Sequence, residues 1–204
     1  MEEQKYNMAF TTGGLMLHES VVVAALFHDL GDWDSVRAKV LSENLLQTRK
    51  VSSSKRWARE IVFRLQQLVP QELELLPSAN VPDQTNLLWI AICRRFSFIG
   101  DFMAEVVRER YLALRNDLGY PDFDAFFEAK SGQHSELLEI SPSTQAKLRQ
   151  VLFRMLREAH LLTKDNQIMT PTLGRELASL LLADRAAEER YFPITDKDLR
   201  SLAK

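Results

Sequence analysis

The sequence predicts a mainly α protein: a helical chain with an N-terminal helix-turn-helix-like unit and a C-terminal winged-helix-like unit carrying a small β-hairpin. Three observations predict it. Apolar residues recur at three- and four-residue intervals with almost no strand-like alternation. Only seven glycines and seven prolines interrupt 204 residues. Two long amphipathic segments, at 53–68 and 143–160, each follow a short polar start signal.

In order along the chain, a first helix starts after the Thr11-Thr12-Gly13-Gly14 turn and runs to about His28, before Gly31 interrupts it. A second follows Asp32, with Trp33, Val36, Val40 and Leu41 facing inward. A third opens at the triple serine Ser52-Ser53-Ser54 and ends near Leu68, ahead of Pro70. LPSANVPD, at 76–83, is the expected boundary between an N-terminal helical domain (1–78) and a C-terminal one (79–204). The run from Thr85 to Gly119 holds one very apolar helix and a second, with a break around Ser97 or Gly100, and is the expected centre of the core. A short helix at about 122–130 precedes Ser141-Pro142, an N-cap and first-turn proline for a helix reaching about His160. Beyond it, Asp165-Asn166 forms a turn between two short extended pieces, so that 137–172 reads as recognition helix and wing.

The composition narrows the function. The longest apolar runs, VVVAALF and LLWIAIC, have seven residues each, whereas a bilayer span takes about twenty, so no membrane partner is expected. The start, MEEQKYNMAF, lacks the succession of a secretory signal. A single cysteine, Cys93, forms no intramolecular disulfide and suits a reducing compartment. Both point to the cytoplasm. HDLGDWD at 28–34 hints at metal-dependent phosphohydrolase chemistry, but the other ligands are missing, and helix-end and cap roles explain Asp29 and Asp32. No nucleophile has an activating partner. The reading is a protein that is not an enzyme, with no catalytic residues, metal or cofactor.

Charge placement is the informative feature. The formal net charge is −2, yet residues 49–64 carry Arg49, Lys50, Lys55, Arg56, Arg59 and Arg64 against Glu60 alone. That stretch is +5, which leaves −7 for the remainder. At 100° per residue, Trp57, Ala58, Ile61, Val62, Leu65 and Leu68 fall in an apolar arc of roughly 140°. Lys55, Arg56 and Arg59 occupy the outward side, and Arg64 pairs with Glu60 four residues before it. Cations at a helix start oppose the macrodipole by a few tenths of a kcal/mol to about 1 kcal/mol each, so helix stability does not account for them. A phosphate backbone does, with the hydroxyls of Ser53 and Ser54 as part of an anion seat. The competing reading is a solvated basic surface. On the later helix, Lys147, Arg154 and Arg157 stand opposite the apolar face, and Lys164 marks the wing tip. The candidate DNA-binding residues are therefore Arg49, Lys50, Ser53, Ser54, Lys55, Arg56 and Arg59, with Lys147, Arg154, Arg157 and Lys164 as a second set.

Five segments resemble the BrxA family of BREX (bacteriophage exclusion) proteins: FTTGGLMLHESVVVAALF (10–27), DW (32–33), ENLLQTRKVSSSKRWAREIVFRL (43–65), LLWIAICRRFSFIGDF (87–102) and ISPSTQAKLRQVLFRMLREAHLL (140–162). The likeness spans about 10–180. It implies a phage-defence role alongside other BREX subunits, a mostly helical fold, no catalytic activity and binding of double-stranded DNA. Two functions follow as expectations. The first is a DNA-binding accessory protein that engages duplex mainly through phosphates. The alternative is a protein–protein adaptor scaffolding larger defence subunits.

Overall fold

A computed structural model describes residues 5–11, 13–183 and 188–204. The chain divides into two compact units, one of Leu15–Arg95 and one of Met1–Gly14 with Phe96–Lys204. Described residues are mainly helical, as the apolar spacing predicts.

The first unit is a bundle of α1 (Leu17–Leu30), α2 (Trp33–Ser42), α3 (Val51–Leu65), α4 (Pro70–Leu75) and α5 (Val81–Arg95). Its first turn is built locally. Gly31 adopts φ 67°, a left-handed conformation that glycine takes without strain, and its N–H donates to the Phe27 carbonyl at 2.8 Å. Asp32 then caps α2 by accepting from the Ser35 N–H at 2.7 Å, and that bond holds its carboxyl below the ordinary carboxylate range. Phe27 stacks on Trp33 across the turn at 3.9 Å. Val36 and Val40 are buried, whereas Leu41 is half-buried.

The connector from α2 to α3 turns through left-handed Asn44 and Gln47, and the Asn44 amide bonds both the N–H and the carbonyl of Thr48. Helix α3 lays Ala58, Ile61, Val62 and Leu65 against α1, α2 and α5. Residues Leu87 to Cys93 of α5 are all buried, so the most apolar run is the centre of this unit. The 76–83 segment connects α4 to α5, where the Asn80 side chain caps α5 by accepting from the Asp83 N–H at 2.9 Å.

Three arginines are held inside. Arg64, 1% exposed, donates from Nε to Glu60 Oε1 at 2.9 Å. Arg95 reaches the other Glu60 oxygen at 3.3 Å and lies over the Phe63 ring. Arg94 grips both oxygens of Glu72, at 2.6 and 2.7 Å, and donates to the Gln67 carbonyl at 2.8 Å.

In the second unit, α6 (Ser97–Phe102), a π-helical turn (Met103–Arg108) and α7 (Glu109–Leu112) form one continuous helical run. The break expected around Ser97 or Gly100 falls at Phe96, and Gly100 stays helical and buried within α6. Then come α8 (Tyr120–Ser131), α9 (Ser135–Leu138) and α10 (Pro142–Glu158), the last capped by Ser141 accepting from the Thr144 N–H. Phe98 is the hub of an aromatic core, with Phe123, Phe126 and Phe127 of α8 at ring distances of 5.2 to 5.9 Å. Tyr6 and Phe10 join it from the N-terminal segment: the Tyr6 ring stacks on His134, and its hydroxyl donates to Asp101 at 2.7 Å. After α10, His160 turns the chain at φ 57°. The expected hairpin is reduced to isolated antiparallel bridges, Leu162 with Ile168 and Asp117 with Gln167, and no strand forms among the described residues. Helices α11 (Arg175–Ala183) and α12 (Asp196–Leu202), with a 3-10 turn at Glu188–Tyr191, lie beyond any element the sequence reading placed.

Because Arg94 and Glu72 are almost wholly buried, removing one leaves an uncompensated charge inside the unit. Glu72→Ala is expected to lower stability by about 3–5 kcal/mol in urea unfolding. An exposed change such as Gln66→Ala is expected to stay within about 0.5 kcal/mol.

Candidate nucleic-acid interface

Helix α3 begins at Val51, with Lys50 as the N-cap, one residue ahead of the triple serine. No side chain caps it. The N–H groups of Ser53 and Ser54 each donate to the Lys50 carbonyl at 3.0 Å. Starting there fixes which way the serines point. Ser52 is exposed, Ser53 is half-buried, and Ser54, 3% exposed, faces the core with its hydroxyl unpartnered.

The cations sort by face. Arg49, Lys50, Lys55, Arg56 and Arg59 are all exposed, and none forms an ion pair among the described residues. Glu60, the one acid in 49–65, is occupied from inside by Arg64 and Arg95. The expected Arg64–Glu60 pair is present, and the outward arc of Lys55, Arg56 and Arg59 carries no carboxylate. Val51, one residue ahead of the triple serine, stands 72% exposed beside Lys50.

The later set is divided. Lys147 and Lys164 are exposed and form no ion pair among the described residues. Arg154 donates to the Gly13 carbonyl and lies 3.7 Å from Glu158. Arg157 is half-buried and donates to Asn166 Oδ1 at 2.6 Å. The N-terminal segment presses on this part of α10, where a Cβ on Gly14 would collide with the Glu158 carboxylate. The structure gathers the first five cations onto one connector and helix start; in the second unit it leaves two lysines free and binds two arginines to protein groups.

The 28–34 stretch forms the end of α1 and the cap of α2. His28 and Asp29 are exposed at the end of α1, and Asp32 is engaged in its cap. Among the described residues no group of three or more His, Cys, Asp or Glu side chains could hold a metal ion. Nor is any described helix long and apolar enough to cross a membrane.

Comparison with known proteins places the chain. The family model BrxA matches residues 4–185. The chain belongs to the BrxA family. Within that family, "BREX protein BrxA" of Paramagnetospirillum magneticum (strain ATCC 700264 / AMB-1) is 25% identical over 193 residues, covering 94% of this chain and 96% of its own. The protein of the same name from Escherichia coli O9:H4 (strain HS) is 28% identical over 147 residues, 72% of this chain and 69% of its own. That from Bacillus cereus (strain H3081.97) is 26% identical over 159 residues, covering 78% and 80%. The fold is also similar to a crystal structure of an uncharacterized protein from Magnetospirillum magneticum, with TM-score 0.76 and 25% identity over 92% of this chain and 96% of that one.

An unpartnered hydroxyl inside a helix interface contributes no hydrogen bond and loses its water. Ser54→Ala is therefore expected to leave stability unchanged or raise it by up to about 1 kcal/mol in thermal unfolding, with duplex affinity unaltered. A fall in affinity would mark Ser54 as part of an anion seat after all.

Proposed function

We propose that the protein is a non-enzymatic, double-stranded DNA-binding accessory component of a BREX phage-defence system, working in the cytoplasm and engaging duplex mainly through backbone phosphates. The observation that carries this reading is the set of five exposed cations, Arg49, Lys50, Lys55, Arg56 and Arg59, on a helix start where no carboxylate among the described residues answers them. Like charges held together against the α3 macrodipole gain nothing within the fold, and a polyanion releases counterions when it meets them. An acidic net charge does not oppose this, since screening confines each charge to about 8–10 Å at physiological salt.

The local architecture supports the reading. Helices α2 and α3 are consecutive and pack together across the 43–50 connector, which supports reading them as a helix-turn-helix-like unit with α3 as its recognition helix. In the second unit the order is a helical run at 97–112, a bridge residue at 117, α8, the short α9, α10, then paired pieces at 161–163 and 167–169. Apart from the extra α9, this succession supports a winged-helix-like reading, in which exposed Lys147 and Lys164 add phosphate contacts. Arg154 and Arg157 are tied to Gly13 and Asn166, which makes them weaker candidates for phosphate contact.

An adaptor role toward other BREX subunits draws on a different surface. Leu114 is 89% exposed and sits at φ 59°, a left-handed conformation costly for leucine, so neither packing nor backbone preference explains it.

Reversing two charges, Arg56→Glu with Arg59→Glu, is expected to weaken duplex binding across sequences alike. It should also make the slope of log affinity against log salt shallower by about 2, in gel-shift titrations at several salt concentrations. Unchanged affinity and slope would remove α3 from the interface. Co-purification with BREX subunits that survives nuclease treatment would then favour the adaptor reading.

A further inference from the structure

We propose that the protein associates with itself, the exposed Leu114–Arg115 tip of one copy entering an acid-edged apolar groove formed by α1 and α4 of another. The contact needs neither DNA nor another BREX subunit, so its failure would leave the duplex-binding reading untouched.

The tip is a helix end closed by an unfavourable residue. The Leu114 N–H donates to the Tyr111 carbonyl at 2.9 Å and the Arg115 N–H to the Arg110 carbonyl at 2.8 Å, the paired bonds that end a helix through one left-handed residue. Glycine suits that position, yet here it is Leu114, at φ 59°. Its side chain is 89% exposed, more than any other large apolar side chain among the described residues. Arg115 is exposed, and its side chain has no partner among the described residues. The turn itself is anchored, since Arg110 donates to the Asp117 carbonyl at 2.6 Å and to Asp122 at 2.9 Å. The fold therefore displays an aliphatic side chain and a free cation next to each other on well-held backbone.

The groove matches that combination. Ala24 and Phe27 of α1, with Leu68 and Leu73, line a cavity of about 470 Å³ that exposed His28 and Glu74 complete. Helix α1 is short of cover: in its apolar run 21–27 only Val23 and Ala24 are buried, and Leu30 beyond it is 41% exposed. A helix apolar on all sides is ordinarily enclosed. The two stretches that build the groove, 15–36 and 66–93, hold seven acids and no lysine or arginine. Glu74 has no partner among the described residues. Like charge turns a phosphate backbone away from such a surface, whereas a leucine with an arginine beside it is complementary to it. Leu114 fills the apolar groove and Arg115 meets Glu74. On the duplex-binding reading, joined copies carry more than one α3 patch, the multivalent case in which avidity for a long duplex exceeds that of one site.

The test is sedimentation velocity on the full chain, freed of nucleic acid by nuclease, over a range of concentrations. The average mass of the wild type should rise with concentration. Leu114→Gly removes the side chain and suits the left-handed turn, so it should weaken association about ten-fold or more while stability in urea stays the same or rises. Glu74→Arg and Arg115→Glu should each weaken association several-fold, and the two together should recover most of the loss. A wild type that stays monomeric overturns the proposal, as does association that Leu114→Gly leaves intact or a pair of charge reversals that fail to rescue each other. A monomeric wild type that instead retains another BREX subunit, and loses it on Glu74→Arg, gives the groove to a different protein and equally overturns self-association.

Discussion

A guanidinium taken out of water needs a carboxylate, and in the Leu15–Arg95 unit this requirement decides which charges reach the surface. Glu60 and Glu72 answer Arg64, Arg95 and Arg94 from within. Breaking such a pair costs several kcal/mol, so these acids are fixed where they are. Glu60 is also the one acid between 49 and 65, so its capture leaves the outward face of α3 positive. The exposed patch is thus a consequence of the buried pairing, and the two have to be considered together.

The fold tolerates this because the stability of α3 comes from elsewhere. Each cation near the helix start costs a few tenths of a kcal/mol to about 1 kcal/mol against the macrodipole. Burial of Ile61, Val62 and Leu65 against α1, α2 and α5 contributes about 1.5–3 kcal/mol apiece, which outweighs it. A helix anchored along one stripe can therefore carry an electrostatically unfavourable opposite side. The same division is weaker in α10, where Arg154 and Arg157 are tied to Gly13 and Asn166 and two lysines stay free.

What the sequence disclosed follows the range of the forces involved. The turn at Gly31 and Asp32, the cap at Ser141 and the apolar stripe of α3 depend on neighbours within a few residues, and all could be read directly. The start of α3 could not: three serines advertise a cap, but the connector closed by Asn44 and Thr48 delivers the chain one residue early, turning Ser54 inward. The prolines and asparagine of 76–83 carry the same signal for a linker as for a helix start, and here Asn80 caps α5. The ties on Arg154 and Arg157 come from Gly13, far back in the chain, and from a turn beyond α10; a helical wheel contains neither. Tyr6 and Phe10 likewise reach Phe98 across some ninety residues, a contact no local pattern announces.

Duplex binding depends on whether the exposed cations of the α3 face meet phosphates. The most direct measurement is the affinity of the unaltered protein for duplex DNA by fluorescence anisotropy over a range of salt concentrations. Five phosphate contacts predict a log–log slope of about −4 or steeper. A slope shallower than about −2, or no association at low salt, would contradict it.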